Sequence, residues 1–144
     1  MCICRGKRRN YAIFYDYVQF KKLFAHLDFQ GKEAYAMFLT AHEMRHYYQM
    51  RQLDCKNPSE NEELLEKWRA DDTNVKYPSD SFSILEFYRQ PMEKDAELFA
   101  YVYTAEMLDV LVNLDFIDEN YIKELEEYYI ELFGETDEIY FPEK

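Results

Sequence analysis

Glycine and proline are scarce in this 144-residue chain, with three of the first and four of the second. So few turn-formers argue against a many-turned β-sandwich and for long helices. Cysteine is scarce too: Cys2, Cys4 and Cys55 are an odd number, which fits reduced thiols better than a disulfide framework. Cys2-x-Cys4 is at best half of a metal site. No stretch approaches the roughly 18 uninterrupted apolar residues of a membrane span. The first ten residues, MCICRGKRRN, lack the apolar run that follows the basic end of a signal peptide. The expectation is a cytoplasmic protein that does not engage membranes. Positive charge is also in short supply, and the formal net charge is −12. Such a surface repels phosphate and excludes general nucleic-acid binding. Arg5, Lys7, Arg8 and Arg9 stand apart from this balance, and residues 1–10 read as a flexible basic tip.

What is present is apolar and aromatic. Hydrophobic residues make up 48% of the chain and aromatics 18%, enough to bury one core without staples, so residues 1–144 read as a single domain. YAIFYDYVQF, residues 11–20, is rich in aromatic and β-branched types and reads as a strand or part of a small N-terminal sheet. Residues 32–53 contain neither glycine nor proline, and Ala34, Phe38, Ala41 and Tyr48 recur at helical spacing. A second helix is expected after Ser59 as N-cap, with Glu62 closing a capping box. Residues 71–90 read as a loop with one short extended piece around 82–85. Pro91 suits the first position of a long helix through residue 114, where its missing N–H costs nothing. A last helix, 119–133, is expected between Asp118 as N-cap and Gly134. The fold class is therefore α+β, mostly helical, with a small strand component.

Two of the three histidines fall in His42-Glu43-Met44-Arg45-His46. Residues i and i+4 stack on one helix face, about 5–6 Å apart at Cβ, so both imidazoles can reach one ion. Glu43 is turned about a quarter of the way round and serves better as a base toward water at that ion than as a ligand. With eighteen glutamates and three histidines, shuffling yields this pattern in somewhat under about 1% of chains. An ordinary solvated helix face is the competing reading. The helix opening at Pro91 carries Glu93-Lys94-Asp95-Ala96-Glu97. Ala96, one turn after Glu93, leaves room for close helix approach, which would bring the Glu93 carboxylate to a metal held by the histidines. Asp95 points about 200° round the helix from Glu93, whereas Glu97 shares its face. Taken alone, this segment reads first as an acidic helix start stabilised by the dipole.

Together, His42-Glu43-x-x-His46 and Glu93-x-x-Ala96 resemble the gluzincin class of zinc metallopeptidases. The segment EKDAELFA resembles in particular the ImmA/IrrE-type metallopeptidases and the minigluzincins, over roughly residues 35–108. The resemblance implies a compact zincin-like domain with an active-site helix and a glutamate-bearing ligand helix. It implies one Zn2+ per chain on His42, His46 and Glu93, with Glu97 orienting a ligating imidazole. It implies peptide-bond hydrolysis through a zinc-bound water, with Glu43 as general base. Tyr88, just before the ligand helix, is a candidate oxyanion stabiliser, as is Arg89. Arg45 departs from the family pattern by placing a charge between the histidines, and Glu97 stands where asparagine or aspartate is common. The alternative is a non-catalytic zinc-containing module serving regulation or recognition of a protein partner. His26 is expected at the surface, and Trp68 as a packing anchor.

Overall fold

The computed structural model describes residues 25–108 and 119–135 without a break, and residues 2–3, 13–14, 18, 21–22 and 141 besides. Helix α1 (Phe29–Asp54) starts three residues earlier than the sequence pattern suggests. The reason is its cap: the Asp28 carboxylate accepts the Gly31 N–H at 2.7 Å. A Cβ on Gly31 would sit 3.2 Å from that same oxygen, so glycine lets the cap close tightly. The helix ends at Cys55, an exposed free thiol whose backbone N–H reaches back to Gln52.

Helix α2 (Glu62–Asn74) is capped by Asn61, not Ser59; Asn61 Oδ1 accepts the Leu64 N–H at 2.8 Å. Asparagine caps as well as serine, and here it stands immediately before the helix. Ser59 instead ties the connecting loop to α1, its N–H donating to Gln52 Oε1 at 2.8 Å. The expected extended piece at 82–85 is a one-turn helix, α3 (Ile84–Tyr88). A reciprocal capping box holds it: Glu86 N–H to the Ser83 hydroxyl, and Ser83 N–H to the Glu86 carboxylate. Extended pairing nearby is limited to an isolated bridge between Ser79 and Phe82.

Helix α4 (Pro91–Leu108) begins at the expected proline; residues 109–114 of the expected helix lie outside the described residues. Helix α5 (Glu119–Phe133) stops at Gly134, whose φ of 86° is the left-handed conformation glycine adopts freely. The expected N-cap Asp118 lies outside the described residues. Among the described residues, strands are confined to a two-residue ladder, β1 (Cys2–Ile3) antiparallel to β2 (Ile13–Phe14). Within the stretch expected to be one strand, Val18 is helical. A ladder this short does not establish the expected sheet, and the described architecture is mostly helical.

The packing centres on α1 against α4. Phe38 and Ala41 of α1 meet Leu98, Ala100, Tyr101 and Ala105 of α4, with Tyr121 and Leu125 of α5 closing the cluster. A second cluster joins Leu65 and Trp68 of α2 to Met92 at the start of α4. Trp68 is fully buried there, as a packing anchor should be. His26 lies exposed in a turn. No helix among the described residues is long and apolar enough to cross a membrane.

Candidate metal centre

The α1–α4 seam carries the polar residues singled out in both motifs. His42 and Glu43 on α1, and Asp95 and Glu97 on α4, are all buried. Small residues allow this: Ala41 is 2% exposed and Ala96 is fully buried, so the two backbones approach closely enough for short side chains to meet. Nε2 of His42 and Nε2 of His46 lie 3.0 Å apart, with the rings edge to face. The Glu93 carboxylate straddles them, one oxygen 3.4 Å from His42 Nε2 and the other 3.4 Å from His46 Nε2. Among the described residues, these three form the group of side chains whose ligand atoms lie within 4.8 Å of one another.

This spacing fits an ion. A tetrahedral zinc bound at about 2.0–2.1 Å requires ligand atoms about 3.3–3.4 Å apart, close to the 3.0 and 3.4 Å found. The charge balance points the same way. The carboxyl groups of Glu43, Asp71, Asp95 and Glu97 are buried and that of Glu93 nearly so, against one guanidinium in their midst, Arg45. Buried negative charge must be offset. Burial pushes the His42 imidazole down, but the facing carboxylates of Glu93 and Glu97 outweigh it and raise the ring to about 10. Burial pushes Glu93 up, and the facing imidazoles of His42 and His46 reverse that, holding it at about 2. A proton on His42 thus does electrostatically what a cation between the ligands would do.

Glu97 Oε1 lies 3.1 Å from His42 Nδ1, although off the line of a good hydrogen bond, since that buried nitrogen has no well-aligned partner. Glu43 lies within electrostatic reach of His42, His46 and Glu93; burial raises its carboxyl, and the two imidazoles oppose the rise. Tyr88 borders the carboxylate side. Its phenol is pushed up to about 12, by burial first and then by Glu97 and Glu93. Its carbonyl accepts the Tyr121 hydroxyl at 2.7 Å. Tyr35 and Tyr121 are raised in the same way, burial leading and Glu97 contributing. These two phenols beside the site carry no mark in a sequence with fourteen tyrosines. Arg89 is committed elsewhere, to the Glu124 carboxylate of α5.

Several supporting residues have no counterpart in the sequence motifs. Gln49 is fully buried; its Oε1 faces His46 Nδ1 at 2.7 Å, and its Nε2 donates to Met92 O at 2.9 Å and to Asp95 Oδ2 at 2.7 Å. Arg45, the charged residue between the two histidines, grips Asp95 through Nε at 2.8 Å and Nη2 at 3.1 Å. Its guanidinium also lies over the rings of Tyr48, Phe99 and Trp68, so its charge is compensated and does not enter the site. Asp71 of α2 accepts the Met92 N–H at 2.8 Å, pinning the first turn of α4 one residue before Glu93. An open depression of about 400 Å³ lies beyond Asp71, bordered by Lys76, Phe82 and Gln90. The Gln90 amide there is already paired with the Lys76 backbone. Comparison with protein-family models, with curated proteins and with solved structures finds no match to this chain.

Proposed function

We propose that the protein is a zinc-dependent metallopeptidase of compact zincin-like organisation, holding one zinc per chain on His42, His46 and Glu93. The observation that carries this reading is the convergence of two imidazole Nε2 atoms and one carboxylate at 3.0–3.4 Å, beside the buried Glu43. A zinc ion bound there supplies Lewis acidity toward a carbonyl oxygen and lowers the pKa of water at its open position.

The remaining chemistry belongs to the chain. A carboxylate oxygen of Glu43 takes a proton from the attacking water and passes it to the leaving amine of a peptide substrate. Its upward shift brings the base nearer neutrality, where general acid–base exchange works best. The Tyr88 phenol stays protonated at neutral pH and offers an O–H donor to a developing oxyanion. Glu97 orients the His42 ring from the side opposite the ligands.

Glu43→Gln tests the reading. Glutamine keeps the volume and can hydrogen-bond water but cannot accept its proton. The variant should retain zinc and lose peptide cleavage by at least about 10²–10⁴-fold, read by mass spectrometry on a diverse peptide library. Equal cleavage by both proteins would overturn the assignment of Glu43. Zinc binding without cleavage by either would favour a non-catalytic zinc module that recognises a protein partner.

A further inference from the structure

We infer that Gln49 is a positioning residue that fixes His46 as the Nδ1–H tautomer and so turns its Nε2 lone pair toward the metal position; this rests on the metal reading above. The argument begins with the amide. Gln49 Nε2 lies 2.9 Å from Met92 O and 2.7 Å from Asp95 Oδ2. A carbonyl and a carboxylate oxygen only accept, so this end of the amide must be the NH2, and both its hydrogens are used. The opposite orientation would set three acceptor oxygens against one another in a fully buried position, at a prohibitive desolvation cost. The atom 2.7 Å from His46 Nδ1 is therefore the amide oxygen. An amide oxygen cannot donate, so His46 Nδ1 carries the hydrogen.

The neutral imidazole then has its lone pair on Nε2, the atom 3.0 Å from His42 Nε2 and 3.4 Å from Glu93. Gln49 thus selects the tautomer that can ligate before any metal arrives. It can do so because Arg45 holds Asp95 in place with two hydrogen bonds, and Asp95 and the Met92 carbonyl together hold the amide. The charge between the two histidines serves the same end. Its guanidinium anchors the far end of a chain running Arg45, Asp95, Gln49, His46.

The test uses full-length, 15N-histidine-labelled protein stripped of metal, together with Gln49→Met, which keeps the length of the side chain and removes the acceptor. Long-range 1H–15N correlation spectra should show neutral His46 in wild type with Nδ1 protonated and Nε2 unprotonated. In Gln49→Met the preference should relax toward a tautomer mixture. Zinc affinity, measured by competition with a chelator, should fall about 10–100-fold. A wild-type His46 protonated on Nε2, or a variant with unchanged tautomer and affinity, would overturn the inference. A fall in affinity with the His46 tautomer unmoved would mark a purely structural role for Gln49 and would also overturn the inference. A wild-type protein that binds no zinc would sink the metal reading alone, because the tautomer is read in metal-free protein and still decides the role of Gln49.

Discussion

At the scale of single residues, His42 is where a proton and the proposed zinc would compete. In the metal-free protein its imidazole lies at about 10 against an ordinary 6.5, and Glu93 at about 2 against 4.5. The raised histidine contributes stability that is fully present below about pH 6.5 and is lost as pH rises through about 10. The depressed glutamate contributes stability present above about pH 4.5 and lost as pH falls through about 2. Both shifts report one interaction and count once, so the metal-free pair contributes its full stability between about pH 4.5 and 6.5. Zinc must displace the His42 proton, so zinc affinity should rise about tenfold per pH unit from pH 6 to pH 8. Chelator competition at pH 6, 7 and 8 checks this; a flat profile would mean that His42 is already neutral. Glu97→Ala should weaken zinc by about 10–100-fold without abolishing it, because Glu97 faces the Nδ1 side of His42. That Glu97 shares a helix face with Glu93 could be read from helical spacing; that it meets His42 could not. The pairing of Arg45 with Asp95 could not, since those residues are 50 apart in the chain and meet only through the crossing of α1 and α4.

At the scale of elements, the site depends on how closely α1 and α4 approach. Ala96 is fully buried at that seam, one turn after Glu93. Ala96→Leu should force the helices apart, costing about 1–3 kcal/mol in a denaturant melt. It should also weaken zinc binding, although no ligand is altered. Unchanged affinity would show that Ala96 does not set the Glu93 distance. The element boundaries show what a single sequence reveals. The absence of glycine and proline over residues 32–53 marked α1 and Pro91 marked the start of α4, and Gly134 ends α5 with its positive φ. The one-turn helix α3 did carry its own mark, Ser83-x-x-Glu86, the capping box that the structure forms. Five helical residues are too few for a period to show, so the capping box is the local signal for this turn. The cap of α2 fell to Asn61 because two good capping residues stood two positions apart, and local chemistry alone does not rank them.

At the scale of the whole molecule, the two hydrophobic clusters flank the polar seam. One locks α5 onto α1 and α4, and the other brings α2 and its Asp71 to the first turn of the ligand helix. The proposed metal position thus lies on helices packed from both sides. A mostly helical fold was legible from the scarcity of glycine and proline. The expected N-terminal strand was less so, because residues 11–20 are aromatic enough for either strand or helix. The central claim concerns zinc, and one measurement reaches it most directly: elemental analysis of tag-free protein reconstituted with zinc, wild type beside Glu93→Ala and the double variant Cys2→Ser, Cys4→Ser. The account predicts about one zinc per chain in wild type and in the cysteine variant, and loss of tightly held zinc in Glu93→Ala. Zinc that survives Glu93→Ala, or that leaves with the cysteines, would contradict it.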